Sequence, residues 1–541
     1  MNGLTDEVFD YIVIGAGTAG CVIASRLAEN DSLSILLVEA GDSDLFGITD
    51  VPASLLHTIT NPNYDWCFLS EPDQTRNASY EMWSRGKLLG GSSAINGMVF
   101  VRGAASDFDN WAALGIPGWD WGNVLPYFKK LETVLFSDSD ASDLRGKSGP
   151  VYISKVSWRH PHSKAFMDSC VRNGIPYRDS LSGIHNNGVS WCETNIYKGI
   201  RQSSYRSYIK NLPKKKNLSI RKKHLVNRVI FEKRKAVGVE ISPIENSNIS
   251  SIIRSKRGVI LCAGAINTPH ILLLSGIGPA SKLAHFGISI VNDLPGVGEN
   301  LIEHPGVYIH ADMKSPSQNI FARPWNIPIQ ILRWILFKNG PMAIPAAQLY
   351  AFHHSKESVI DPNLQFLFFA YGVLLKGTKR YIPNKNLVTM LLNLTHPKSR
   401  GFLSLKDKNS RVPIQIHPQL LSSDEDIQSL ILGINFLRKI IRTSPFSDSI
   451  KSLINFSISS SSYEEDYNFI RNNTRPFHHS CGTCKMGIDH LSVVSPSLRV
   501  HGCENIWVAD ASIFPLPVAG NINATTLMIG EKAADLILSN L

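Results

Sequence analysis

The sequence lacks the features of a membrane-spanning or disulfide-rich secreted protein. In its 541 residues, no run approaches the roughly 18–20 apolar residues that a spanning helix needs. The closest candidate, residues 327–337, is interrupted by Pro328, Gln330 and Arg333, which favours a buried or amphipathic segment over a membrane contact. Eight cysteines are scattered, and the N-terminus carries acids where a secretory signal has basic and apolar regions. We expect a cytoplasmic protein, with peripheral membrane contact left open.

Extremes of composition are also missing. Charged residues make up 18% and hydrophobic residues 43%, the balance of a soluble globular protein. A formal net charge of +10 is modest for this length and identifies no partner. The densest basic run, residues 210–235, includes the strand-like residues 225–231, so it predicts a solvated hairpin. We therefore expect no nucleic-acid partner.

What is present begins with a compact βαβ unit. Residues 9–14 form a short apolar run that ends at glycine, residues 19–29 carry helix formers, and residues 33–39 form a second apolar run. Further buried strands are predicted at residues 259–262 and 505–509. The strands of one nucleotide-binding layer are thus distributed over the chain, which predicts an α/β fold.

Such a distribution predicts a second domain inserted into the first. We assign residues 1–155, 195–305 and 490–541 to a discontinuous Rossmann-like nucleotide-binding domain, in which residues 45–95 form an excursion that covers the cofactor. Residues 156–194 and 306–489 mix predicted strands and helices. We assign them to an α+β substrate-binding domain.

The first strand leads into a phosphate-binding loop. The pattern GxGxxG is formed by Gly15, Gly17 and Gly20, with Thr18 and Ala19 at the start of the helix. The first glycine permits a tight turn, the second lets backbone approach a pyrophosphate, and the third lets helix pack on strand. Free N–H groups at the helix N-terminus favour phosphate binding.

Glu39 ends the second predicted strand of this unit. A carboxylate at that position accepts hydrogen bonds from both ribose hydroxyls and repels a 2′-phosphate. The loop and Glu39 together predict the ADP moiety of FAD or NAD, and they exclude NADP.

Longer motifs decide between FAD and NAD. Residues 85–97 (RGKLLGGSSAING) and 264–279 resemble the two signatures of the glucose–methanol–choline oxidoreductases. Residues 294–301 (LPGVGENL) and the C-terminal segment 479–526 match the same family in the same order. Within the family, the chain is similar to bacterial choline dehydrogenases and acceptor-linked alcohol dehydrogenases. The resemblance implies a FAD-dependent enzyme whose substrate domain is built on an antiparallel sheet.

The resemblance also implies which residues contact FAD. Those lining the flavin are Gly90, Ser92, Asn96, Gly97, Met98 and Val99. The backbone of Val226 is expected to contact the adenine, and the opposite side of the cofactor is expected to be closed by Asp510, Ala511, Asn523 and Ala524. Some members bind FAD covalently through a histidine where this sequence has Ile95, so we predict non-covalent FAD.

Alcohol oxidation needs a base for the hydroxyl proton and an acceptor for hydride. His479 matches the base of the family, and the adjacent His478 is expected near the substrate. Asn521 matches the second catalytic position, where an amide can stabilise a developing alkoxide. Cys481 and Cys484 form CxxC beside the base, but no second CxxC completes a four-ligand metal site. No metal is expected.

The substrate is the least determined feature. In choline enzymes a glutamate helps to hold the quaternary ammonium, and the corresponding position here is interpreted as the neutral Gln348. This interpretation favours a neutral primary alcohol, aliphatic or aromatic, over choline. Oxygen or a quinone-like molecule is the expected electron acceptor. Choline dehydrogenase and the family's non-redox members, hydroxynitrile lyases and a photodecarboxylase, are alternatives because fold alone does not fix function.

Overall fold

The computed structural model describes residues 7–44, 47–137, 142–182, 186–246, 248–359, 361–376, 379–459 and 462–539. Two large sheets organise these residues. Their strands, in chain order, are β1 (Val8–Ile14), β2 (Ile35–Val38), β3 (Gly188–Trp191), β4 (Leu218–Arg221), β5 (His224–Glu232), β6 (Lys235–Pro243), β7 (Ser251–Leu261), β8 (Pro305–Met313), β9 (Leu349–His353), β10 (Leu364–Phe369), β11 (Leu387–Leu394), β12 (Ile450–Leu453), β13 (Arg475–Pro476) and β14 (Ile506–Val508).

Helices surround both sheets. The longer ones are α1 (Thr18–Leu27), α2 (Ala105–Ala113), α3 (Trp121–Leu131), α4 (Pro161–Arg172), α5 (Gly264–Leu274), α6 (Ile327–Phe337), α7 (Asp424–Arg442), α8 (Tyr463–Asn473) and α9 (Asn523–Leu538). Short helices and turns, including Pro52–Ser54, Leu55–Thr58 and Pro341–Ala343, connect them.

The first sheet has a parallel centre in the order β4-β2-β1-β7, with β14 beside the C-terminal part of β7. β2 and the second half of β1 are fully buried, as their continuous Val, Ile and Leu content predicts for parallel strands covered on both faces. Helices α1 and α9 pack together and are joined by the ion pair between Arg26 and Glu531 at 2.8 Å. The first and last helices of the chain therefore support the same layer.

An antiparallel hairpin, β5 and β6, extends this sheet from the N-terminal part of β7. β5 contains residues 225–231, which the sequence predicts to be a strand of a solvated hairpin. Arg228 pairs with Glu240 across the hairpin at 2.8 Å, and both side chains are partly exposed. The C-terminal part of the basic run therefore belongs to a hairpin with a charged, partly exposed face.

The second sheet is antiparallel throughout, in the order β12-β8-β11-β10-β9-β3, with β13 beside β8. Alternation along its strands separates two faces. Val307 and Ile309 of β8 face an apolar core that includes residues of α4 and α7, whereas Tyr308 and His310 line a large cavity. The strands of this sheet come from residues 188–191 and 305–476. Those of the first sheet come from residues 8–38, 218–261 and 506–508.

Helix α6 meets the sequence expectation only in part. The sequence favours a buried or amphipathic segment at residues 327–337; no residue of α6 is buried, but one face of the helix is half-buried and the other is exposed. The interruptions by Pro328, Gln330 and Arg333 reveal only that the run is too short to span a bilayer, not which side faces outward. Within the described ranges, no helix has the length and apolar content needed to cross a membrane.

Candidate active site

A cavity of about 1440 Å³ runs from the phosphate-binding loop to the predicted catalytic pair. Its lining includes Gly15, Gly17 and Glu39 at one end and His479 and Asn521 at the other. Typical drug-sized pockets occupy roughly 300–1,000 Å³. The cavity is therefore large and elongated, as an extended dinucleotide together with a small substrate requires.

The three glycines of the loop are needed for different physical reasons. A Cβ atom on Gly15 would lie 2.6 Å from the carbonyl oxygen of Cys262, and one on Gly20 would lie 1.9 Å from the carbonyl oxygen of Gly15. A Cβ on Gly17 would meet only the oxygen of Cys262 at 3.8 Å, because that side opens into the cavity. Gly15 and Gly20 let the chain pack on itself, whereas Gly17 leaves space for a ligand.

Glu39 is held beside this loop by the backbone. Its two carboxylate oxygens accept hydrogen bonds from the N–H of Ala16 at 2.9 Å and of Gly41 at 2.8 Å. Burial raises the pKa of Glu39 to about 7, while the backbone N–H groups of Gly41 and Ala16 act in the opposite direction. The carboxylate lines the cavity with lone pairs that remain suited to ribose hydroxyls.

The glycine–serine loop of the first signature lies against the phosphate-binding loop. The N–H of Gly90 donates to the carbonyl of Ala16 at 2.7 Å, and a Cβ on Gly91 would lie 2.7 Å from the Cα of Gly17. Arg201 then fixes the following turn by donating to the backbone oxygen of Asn96 at 2.6 Å and to its side-chain oxygen at 3.0 Å. The adjoining backbone at residues 96–99 lines the cavity. The phosphate-binding loop, the glycine–serine loop and residues 96–99 thus line a cavity that fits FAD.

His479 and Asn521 meet where the cavity reaches the antiparallel sheet. Asn521 Nδ2 lies 3.1 Å from His479 Nε2, and Asn521 Oδ1 accepts from the side-chain amide of Gln365 at 3.4 Å. His479 Nδ1 lies 2.9 Å from His304 Nδ1. If the Asn521 amide donates, Nε2 of His479 holds the lone pair and its Nδ1 donates to His304. That tautomer presents a base at Nε2.

A buried ion pair holds the backbone that carries His479. Glu303 accepts hydrogen bonds from the His479 N–H at 2.6 Å and from the Ser480 hydroxyl at 2.8 Å. Arg85 lies 3.7 Å from Glu303 and donates to the His478 carbonyl at 2.9 Å and to the Ser480 hydroxyl. The segment is therefore fixed from two sides. The sequence alone does not indicate that Glu303 and His304 contact His479. It places Arg85 at the start of the first signature but gives no sign of its ion pair with Glu303.

Electrostatics keep His479 neutral. Burial lowers the pKa of His479 well below its usual range, and charge on His304, Arg85 and His478 acts in the same direction. A lowered pKa means that the ring loses its proton at a lower pH than an ordinary histidine. The unprotonated form needed for a base is consequently the one present at neutral pH.

Most predicted site residues line this one cavity. They are Gly15, Gly17, Thr18, Ala19, Glu39, Ser92, Asn96, Gly97, Met98, Val99, Val226, His478, His479, Asp510, Ala511, Asn521 and Asn523. His478 adopts a left-handed backbone (φ +63°), so it and His479 both reach the cavity although neighbours in an extended strand point oppositely. Thr18 donates to Asn523 at 3.1 Å, which joins the two helix N-termini at the cradle.

Four of the predicted site residues do not line the cavity. Gly20 packs against the backbone of Gly15, and Gly90 donates its N–H to the carbonyl of Ala16. Ala524 is buried in the first turn of α9. Gln348 is also absent from the lining. Its Oε1 accepts from the N–H of His160 at 2.9 Å and from the hydroxyl of Ser163 at 2.7 Å, so it ties β9 to the first turn of α4. Gln348 therefore gives no argument about the substrate.

The arm of the cavity beyond His479 is aromatic and neutral. It is lined by Tyr308, His310, Phe369, Tyr371 and Phe477. Burial lowers the pKa of His310 to about 4, so this ring adds no positive charge at neutral pH.

Carboxylates among the described lining residues are Glu39, Glu81 and Asp510, and each is engaged. Glu81 pairs with Arg475 at 2.6 Å, while Asp510 accepts from the N–H of Gly264 at 2.8 Å and from the hydroxyl of Thr268 at 2.6 Å. No described acid of the lining is therefore left to balance a cationic substrate.

Comparisons with known proteins agree with this geometry. Models of the GMC oxidoreductase N-terminal and C-terminal regions match residues 9–306 and 397–530. The chain is 36% identical over 536 residues to an oxygen-dependent choline dehydrogenase of Brucella suis, covering 98% of this chain and 95% of that protein. Among solved structures, a formate oxidase matches with a TM-score of 0.91 at 26% identity, covering 99% of each chain. Pyridoxine 4-oxidase from Mesorbium loti matches with a TM-score of 0.87 at 26% identity, covering 97% of this chain and 98% of that one.

Proposed function

The chain belongs to the GMC oxidoreductase family of FAD-dependent enzymes that oxidise CH–OH donors, and on this basis we propose that it converts a neutral primary alcohol, aliphatic or aromatic, to an aldehyde. The observation that carries the proposal is the neutral, aromatic arm into which the pair of His479 and Asn521 opens. The cofactor ranges 1–155, 195–305 and 490–541 bind FAD, and the ranges 156–194 and 306–489 shape the substrate arm.

Bound FAD supplies a flavin ring that accepts the hydride released from the alcohol carbon. His479 acts as the base and takes the hydroxyl proton at Nε2. His304 holds the base in the required tautomer by accepting a hydrogen bond from Nδ1–H, and it remains beside the ring when His479 becomes positively charged. Asn521 donates its amide N–H to the oxygen that becomes negative as the proton leaves.

The cavity residues would hold FAD in a defined order. Gly17 and the start of α1 would bind the pyrophosphate, Glu39 would bind the ribose, and the backbone of Val226 would contact the adenine. A bulge in β5 between Val226 and Arg228 interrupts the ladder with β6 next to this contact. Oxygen or a quinone-like molecule then accepts the electrons and completes the cycle.

Choline oxidation is the second candidate. The relatives at 36% identity are choline dehydrogenases, and the faces of Tyr308, Phe369 and Tyr371 could contact a quaternary ammonium. A neutral alcohol is favoured because a fixed positive charge in this arm would lack an available carboxylate among the described lining residues.

A panel of alcohols tests this proposal. We expect aliphatic and aromatic primary alcohols to bleach the flavin with a higher kcat/KM than choline or sugar alcohols, because the arm offers apolar contacts and no counter-charge. The measurement is anaerobic stopped-flow absorbance of the bound flavin in the dark. Choline reducing the flavin far faster than every neutral alcohol would assign the second candidate instead, and the absence of bleaching with any alcohol would favour a lyase or a light-dependent reaction.

The mode of FAD attachment gives an independent prediction. Ile95 stands where a histidine would form a covalent flavin bond, and it offers no nucleophile. We expect acid precipitation to release essentially all of the yellow colour into the supernatant, measured by absorbance and mass spectrometry. Flavin that stays with the precipitated protein would show a covalent link and contradict this prediction.

A further inference from the structure

Helix α6 presents its apolar residues outward. The half-buried positions follow one face and are Asn326, Gln330, Trp334 and Lys338, of which three are polar. Apart from Arg333 the outward positions are apolar, with exposed fractions of 58% for Ile329, 56% for Leu332, 54% for Ile335, 61% for Leu336 and 67% for Phe337. A surface helix in contact with water has the opposite arrangement. The outer face of α6 is therefore built for an apolar environment.

The flanks of the helix add to the same surface. Trp325, just before α6, is 64% exposed, and Ile327 at its start is 43% exposed. Together with the outward residues of α6 they form one contiguous apolar patch, which we call the α6 patch. Large exposed apolar patches mark interaction sites on proteins that are otherwise soluble. Other exposed apolar side chains, such as Ile249 and Ile488, lie in separate parts of the chain.

The chain segment that carries α6 has charge of one sign. Between Asp312 and Glu357 the sequence contains no acid, and its five basic residues are Lys314, Arg323, Arg333, Lys338 and Lys356. Arg333 is exposed on α6 itself, and Lys338 lies over the ring of Trp334 at 3.5 Å. Apolar side chains flanked by Arg and Lys are the composition of helices that lie in a membrane interface.

This charge distinguishes a lipid surface from a second copy of the chain. A symmetric dimer through α6 would bring equivalent basic residues of both copies together without an acid from the same segment. An anionic bilayer supplies both partners at once, since the acyl boundary takes the apolar side chains and the headgroups take the basic ones. With 11 residues, α6 is about 16 Å long, too short to span a bilayer but sufficient to lie along it.

We propose that the α6 patch docks the enzyme on an anionic phospholipid surface, with the helix lying in the plane of the interface. The short helix Pro341–Ala343 connects α6 to Ala346 and Ala347, which line the cavity. The N–H of Ala346 donates to the carbonyl of Gly97 at 3.3 Å. Docking would therefore place lipid next to a wall of the active site. The proposal goes beyond the alcohol oxidation proposed above and does not depend on it.

Vesicle flotation of the FAD-loaded enzyme tests the docking. We expect binding to vesicles of phosphatidylcholine with phosphatidylglycerol and much weaker binding to phosphatidylcholine alone. Replacing Leu332→Glu and Leu336→Glu together should lower partitioning at least roughly 100-fold, because two buried leucines are lost to charge. Arg333→Gln should lower it about five-fold, an effect that weakens with added salt. Ile249→Glu, at an exposed apolar residue elsewhere, is the matched control and should bind like the wild type.

Three outcomes would overturn the proposal. They are no flotation of the wild type with anionic vesicles, equal flotation of the double variant, and a dimer in light scattering that the double variant dissociates while vesicles remain unbound. The last would assign the α6 patch to self-association. Each variant must retain bound flavin. Because flotation is measured without turnover, its result is separate from that of the substrate panel.

Discussion

The variant His479→Ala is expected to keep its FAD while flavin reduction by alcohol slows roughly 10²–10⁴-fold or more. The substitution removes the ring nitrogen that lies 3.1 Å from the amide of Asn521, while Glu303 still binds the backbone N–H of residue 479. The loss therefore concerns proton removal and not the fold. Asn521→Ala should slow the same step less, since it removes charge stabilisation but leaves the base.

The measurement is anaerobic stopped-flow reduction with one alcohol, and the adjacent His478 supplies a matched control. His478→Ala removes an imidazole from the same cavity, yet we expect its rate of reduction to stay much closer to the wild type. A His479→Ala enzyme reduced at the wild-type rate would remove His479 from the mechanism. If only His478→Ala reduces its flavin much more slowly than the wild type, His478 is the base and His479 is not.

The second large effect is expected for Gly17→Val. Its Cβ would enter open cavity space, with Cys262 as the nearest neighbour at 3.8 Å, so the chain folds but the pyrophosphate position is filled. Crowding of this kind costs about 1–3 kcal/mol or more, which corresponds to FAD affinity weakened roughly 5- to 150-fold. Isothermal titration of the FAD-free protein with FAD measures the change.

Gly20→Val makes the informative contrast. There the Cβ would lie 1.9 Å from the carbonyl oxygen of Gly15, a backbone atom that cannot move aside cheaply. We expect Gly20→Val to lower the melting temperature of the FAD-free protein strongly, whereas Gly17→Val leaves that temperature near the wild-type value. If Gly17→Val has both the melting temperature and the FAD affinity of the wild type, this glycine does not face the pyrophosphate.

Much of the phosphate-binding end of the cavity could be predicted from the sequence, because the residues that form it are close together in the chain. An apolar strand, a glycine turn and a helix start follow one another within residues 8–27, and their geometry is set by short-range sterics. The family motifs extended this to His479 and Asn521, which the structure brings within 3.1 Å.

Other parts depend on contacts between distant residues. Glu303 and His304 reach His479 across more than 170 positions, and no sequence period records such a meeting. The contacts of Gln348 are hidden for a similar reason, since its partners His160 and Ser163 lie at the N-terminus of α4, more than 180 positions away. For α6, the sequence showed an interrupted apolar run but not whether its apolar side chains would face a core or the outside.

The joining of α1 to α9 has a consequence for the order of biogenesis. Thr18 and Asn523, whose side chains meet at the cradle, are separated by 505 positions, as are Arg26 and Glu531. At a synthesis rate of 5–20 residues per second, the first helix waits roughly 25–100 s on the ribosome for its partner. The buried strands β1 and β2 need protection during that interval. Capture of the flavin cofactor is thus expected to follow translation, as one of the last steps in maturation of the enzyme.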